Sequence, residues 1–190
     1  MGKLHDTLSP ELQDWLNQQK VFFVATAPLA KDGHVNCSPK GGDTFRVLGA
    51  SEVAYLDFTG SGIETAAHLQ ENGRIVIMFC AFAGPPKIVR LHGNGEVIYP
   101  NDSRFAGLLK RFADHPGVRA IIRVTLTRVS DSCGHGVPLM DFVARRDLIE
   151  KWSTAKGPQG LVEYRATKNR TSIDGIPGYM SSSAPKPASL

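Results

Sequence analysis

With 190 residues, 42% of them hydrophobic and 21% charged, the chain has the size and balance of one globular domain around one core. A net charge of +4, carried by scattered lysines and arginines, argues against a nucleic-acid binder and suits a phosphorylated small ligand. No apolar run is long enough to cross a membrane and the first residues hold no signal-peptide core, so no membrane association and a cytoplasmic location are expected.

The first element is a helix opened by Ser9-Pro10-Glu11, with Ser9 as cap, Pro10 in the first turn and Leu12, Trp15 and Leu16 on one face. Residues 21–27 are β-branched and aromatic. The turn signal Lys31-Asp32-Gly33 predicts that residues 34–38 pair back as a hairpin. Further strands are expected at residues 46–48, 53–58, 74–82, 87–92 with 96–99, and 120–129. Gly93-Asn94-Gly95 reads as a bulge or bend in one long strand. Helices are expected over residues 64–71, 102–112 and 139–152, and Arg145-Arg146 and Glu150-Lys151 would be a solvated face of the last. Residues 1–176 then form one domain and residues 177–190 a loose tail. Short strands joined by tight turns predict a mainly β fold, an antiparallel sandwich or barrel with flanking helices.

Cys37, Cys80 and Cys133 are odd in number and widely spaced, so they read as reduced thiols and not as a zinc or disulfide framework. His34, His68, His92, His115 and His135 lack ligand spacing, and no metal site is expected. A Cys133–His135 nucleophilic pair would need an orienting third group that the sequence does not identify.

Two segments carry ligand chemistry. Thr59-Gly60-Ser61-Gly62 joins a strand to a helix beginning near Glu64. Its glycines admit close backbone approach, and unpaired N–H groups at a helix start, with the hydroxyls of Ser61 and Thr65, suit a phosphate. The same segment is also read as a Ser/Thr-capped loop. Ser38-Pro39-Lys40-Gly41 offers a hydroxyl, a cation and free amides for a phosphate or a ring edge, and is equally read as a solvated turn. The P-loop pattern is absent, and no acidic residue follows at the spacing of a dinucleotide fingerprint. Asn169 to Pro177 reads as a turn folded back on the barrel, or as a ligand-contacting loop helped by Asn169 and Arg170.

In order and spacing, Ser-Pro-Lys-Gly, Phe-Thr-Gly-Ser-Gly-x-x-Thr, Asn-Gly-Arg-Ile-Val-Ile-Met-Phe and Pro-Pro-Lys-Ile-Val-Arg-Leu-His-Gly resemble the pyridoxamine 5′-phosphate oxidase-like, FMN-binding split-barrel family over residues 21–129. The segments at Ser132-Cys133-Gly134-His135 and Asn169-Arg170-Thr171-Ser172 resemble a branch of that family other than the true oxidase. The resemblance implies an antiparallel split β-barrel and a homodimer with FMN at its interface. Ser38, Pro39, Lys40 and Gly41 would line the flavin, Thr59, Gly60, Ser61, Glu64 and Thr65 would meet its phosphate, and Lys87 and Ile88 would pass near the ring. Ser132 and Cys133 would come from the partner chain. It also implies differences: Ser38, Glu64 and Thr65 stand where basic residues are expected, and the C-terminal Arg-x-His grip on pyridoxal phosphate is missing. A flavin-dependent oxidoreductase with another substrate is therefore expected. A non-catalytic carrier of flavin, deazaflavin or haem is the alternative, since one fold hosts several ligands.

Overall fold

Apolar alternation in the N-terminal half builds a curled antiparallel sheet in the computed structural model, which describes residues 2–179. Its strands are β1 (Leu4–His5), β2 (Val21–Thr26), β3 (Asn36–Gly41), β4 (Phe45–Gly49), β5 (Glu52–Phe58), β6 (Arg74–Cys80), β7 (Ile88–Ile98) and β8 (Val118–Ser132). The helices are α1 (Pro10–Gln18), α2 (Glu64–Asn72), α3 (Phe105–Leu109) and α4 (Leu148–Lys168). Strand order is β3-β2-β6-β7-β8-β5-β4, with β1 added to β8. The sheet curls so that β3 and β4, its two edges, follow one another in sequence across the short 42–44 connection. This is the split barrel expected.

The inner face carries Phe22, Val24, Phe45, Val53, Tyr55, Ile77, Phe79, Leu91, Ile122 and Val124, and α1 closes it with Leu12 and Leu16. α1 starts as the sequence requires: Ser9 Oγ accepts the Leu12 N–H at 3.3 Å and Pro10 stands in the first turn. Ala54, Leu56, Ile98 and Ile121 cover the outer face under Phe112 and α3. β5 is therefore buried on both sides, which explains its unbroken apolar run. β7 runs through Gly93-Asn94-Gly95, with a register shift between His92 and Gly93. A Cβ on Gly93 would lie 2.3 Å from the Thr125 carbonyl oxygen, so only glycine permits this approach.

Three expectations need correction. The helix over 102–112 shrinks to Phe105–Leu109, and i→i+3 hydrogen bonds continue from Leu108 to Arg111 and from Leu109 to Phe112. The helix over 139–152 is displaced. Residues 139–147 are irregular, and α4 begins at Leu148 and runs to Lys168. The apolar spacing of Leu139, Phe142 and Val143 mimicked a helix face, yet these side chains are 77%, 55% and 93% exposed and have no core to face. Arg145-Arg146 accordingly precede α4 and do not decorate it. Gly157, at φ +67° and ψ 170°, leaves the helical region, and with Pro158 it divides α4 into two helical segments joined at a kink. Finally, Pro177, Gly178 and Tyr179, placed in the tail by sequence, are tied to the domain. Thr171 bridges Pro177, the Gly178 N–H reaches Arg170 O at 2.8 Å and the Tyr179 N–H reaches Asn169 O at 2.7 Å. The rest of the proposed tail lies outside the described residues.

Candidate functional site

β3 is an edge strand whose alternate side chains divide cleanly. Asn36, Ser38 and Lys40 are half-buried on the same face as their cross-strand partners Thr26, Val24 and Phe22, while Cys37 and Pro39 are exposed on the other. Across the seam of the barrel stand the end of β5, the loop after it and the start of α2. Two contacts join these segments. Lys40 Nζ lies 3.8 Å from Asp57 Oδ1, and Asn36 Nδ2 donates to Thr65 Oγ1 at 3.0 Å. Asn36 also donates to Thr26 Oγ1 at 3.2 Å and accepts from Ser38 Oγ at 3.0 Å. The Thr26 hydroxyl meets His68 Nδ1 at 2.9 Å. His68 is fully buried, and burial pushes its pKa down, so it stays neutral.

A β-bulge organises the charge behind the loop. Asp57 pairs with Ala120 and Phe58 with Val118, which leaves Arg119 as the extra residue. The bulge swings the Arg119 guanidinium inward, where Nε donates to Asp57 Oδ2 at 2.8 Å. Its η nitrogen donates to Gly62 O at 2.9 Å and to Asn169 Oδ1 at 2.8 Å. Asn169 Nδ2 donates to Gly60 O at 2.8 Å and to Ser61 O at 3.4 Å. Arg165 Nε donates to Thr59 Oγ1 at 2.8 Å. The hydroxyls of Tyr55 and Tyr99 are buried nearby, and burial drives both pKa values well up, so both phenols stay neutral.

The residues expected to meet a phosphate thus take different positions. Ser61 and Gly62 are exposed, and Lys40 is half-buried beside Asp57. Thr65 is 7% exposed, with its hydroxyl engaged by Asn36. Glu64 turns its carboxylate onto the helix start: Oε2 accepts the Ile63 N–H at 3.0 Å and Oε1 the Ile173 N–H at 3.4 Å. The 172–176 turn therefore folds against α2, and Asp174 holds the His34 N–H at 2.9 Å and the His34 ring at 2.6 Å. Lys87, Ile88, Ser132 and Cys133 form a second group, in which Ile88 pairs with Ser132, Arg90 donates to Ser132 Oγ at 3.0 Å and Lys87 Nζ sits 5.0 Å from the Trp15 ring centre. Strands β2 and β6 separate this group from β3. Sequence reasoning missed Asp57 and Arg119 altogether. The four-residue spacing of Leu161, Arg165 and Asn169 was the signal available for one helix face.

Comparison with known proteins identifies the family and the fold. Residues 8–133 match the family model described as pyridoxamine 5′-phosphate oxidase. The pyridoxamine 5′-phosphate oxidase family protein ustO of Aspergillus flavus is 41% identical over 198 residues, which cover 95% of this chain and 79% of that protein. Among solved structures, a HupZ variant from Group A Streptococcus shares the fold with a TM-score of 0.51 at 21% identity, covering 66% of this chain and 99% of that one. A candidate pyridoxamine 5′-phosphate oxidase of Lactobacillus delbrueckii does so with a TM-score of 0.52 at 18% identity, covering 67% and 98%. By its match to that family model, its identity with ustO and its split barrel, this chain belongs to the pyridoxamine 5′-phosphate oxidase family.

Proposed function

We propose that the protein binds FMN along the β3 seam of a two-fold homodimer and acts as a flavin-dependent oxidoreductase on a substrate other than pyridoxamine 5′-phosphate. The carrying observation is the convergence of Lys40 from β3 with the 59–62 loop around the buried Asp57–Arg119 pair. The donor set suits a phosphate: Ser61 and Gly62 are exposed, the loop carbonyls are occupied from inside, and Lys40 brings positive charge. Glu64 does not confront the ligand, because its carboxylate is taken up by the Ile63 and Ile173 amides. Bound FMN would supply the electron-transfer chemistry. The residues of this chain would anchor its phosphate at Ser61 and Lys40 and orient its ring along Ser38–Gly41, and the buried neutral tyrosines would keep bulk water from the seam.

The dimer reading draws on two features. Lys87, Ile88, Ser132 and Cys133 lie two strands away from the β3 group in the same chain, so they would reach a flavin only from a partner. Leu139, Met140, Phe142 and Val143 form an exposed apolar stretch, which the Met140 N–H ties to Phe82 O at 2.9 Å.

Purified protein should be yellow, with a flavin absorption spectrum, or take up FMN when the apo form is titrated. NADH or NADPH should bleach the bound flavin and air restore it. A protein that binds no FMN at micromolar concentration would overturn the reading. Bound flavin that no nicotinamide donor reduces would reassign the protein to the carriers.

A further inference from the structure

The 59–62 loop contains no basic residue, yet two arginines reach it from inside the molecule. They differ in one respect. Arg119 is neutralised by Asp57. Arg165 pairs with no carboxylate among the described residues, although it is only 8% exposed. Its guanidinium is held by Thr59 Oγ1 and by Val118 O at 3.1 Å, and the Tyr179 ring lies 5.8 Å from it. A buried cation without a counter-charge is unfavourable unless an anion comes close.

One helical turn further, the fully buried Asn169 draws the Gly60 and Ser61 carbonyls inward, while Arg119 does the same for Gly62. Three successive carbonyl oxygens, each of which would repel an anion, are thereby committed to donors inside the protein. The exposed side of the loop is left with Ser61 and Gly62.

We infer that Arg165, in the last turn of α4, and Asn169, the residue that caps it, determine selectivity for a phosphorylated ligand over its dephosphorylated form. Arg165 provides the uncompensated positive charge behind the loop, and Asn169 fixes the loop with its carbonyls turned away. Both are positioning residues that act through the loop. The inference rests on the FMN reading and deepens it.

The test compares affinities for FMN and riboflavin in the apo forms of wild type, Arg165→Gln, Arg165→Lys and Asn169→Ala, with thermal unfolding of each as a control. Wild type should prefer FMN. Arg165→Gln should weaken FMN binding about tenfold and leave riboflavin nearly unchanged, the effect of one charge on another through a partly screened site. Arg165→Lys should retain most of the preference, and Asn169→Ala should narrow it severalfold. Equal wild-type affinities would overturn both the phosphate placement and this inference. A wild type that prefers FMN, with folded Arg165→Gln and Asn169→Ala keeping that preference undiminished, would overturn the inference alone. Should Arg165→Gln fail to fold, the ratio in Asn169→Ala decides, and an unchanged ratio there overturns it.

Discussion

Asp57 has more resting on it than any other single side chain at the seam. It is 2% exposed, it neutralises the buried Arg119 and it stands 3.8 Å from Lys40. Asp57→Ala would leave the Arg119 guanidinium buried without its carboxylate, which costs about 3–5 kcal/mol. Urea unfolding should register that loss, and FMN binding should weaken with it because Arg119 also fixes Gly62. A variant of wild-type stability would show that Arg119 finds another partner. His34 and Asp174 make the contrasting case of an exposed pair. The Asp174 carboxylate raises the His34 pKa above its ordinary 6.5, and His34 lowers that of Asp174 below 3.8.

At the scale of elements, this pair latches the 172–176 turn to the β2–β3 connection, beside its contact with Glu64. The raised His34 pKa means that its contribution is complete below pH 6.5 and is lost as pH rises through the shifted value. The lowered Asp174 pKa means that its contribution is lost as pH falls below 3.8 through the shifted value. The latch is therefore tightest between the two and loosens on the alkaline side. NMR titration of the His34 ring should give a midpoint above 6.5. Asp174→Asn should return it to about 6.5. Amide exchange at Ser172 and Gly175, whose N–H groups close the turn, should be faster in that variant at neutral pH. An unshifted His34 would remove the latch.

For the whole molecule the prediction concerns assembly. Leu139, Met140, Phe142 and Val143 are 77%, 58%, 55% and 93% exposed in the single chain. A partner that covers them would bury side chains worth about 1.5 kcal/mol or more each. Light scattering at micromolar concentration should return a dimer. Replacing both Phe142 and Val143 with Glu should weaken it by about a hundredfold or more and release bound FMN. A wild-type monomer that holds FMN tightly would place the whole site within one chain.

The sequence by itself determined the barrel and two segments of the candidate site. The β-branched and aromatic runs of β2, β5 and β6, the Ser9 cap and the Gly93-Asn94-Gly95 bulge are local signals, written within one strand or one turn. The Thr59-Gly60-Ser61-Gly62 loop and the Ser38-Pro39-Lys40-Gly41 strand were legible for the same reason, as was their family resemblance. Tertiary structure alone decided the rest. The helix at 139–152 failed because periodicity records which residues could share a face, not whether a core is there to meet that face. Arg119 acquired its role from a register shift against β5, which no window of sequence displays. Thr65 went to the interior and Glu64 onto its own helix start because Asn36 and Ile173, 29 and 109 residues away, supply their partners. Arg165 and Asn169 reach the loop across separations of 106 and 109 residues. Contacts at such distances arise from the closing of the barrel, and only the closed barrel shows where the charge lies.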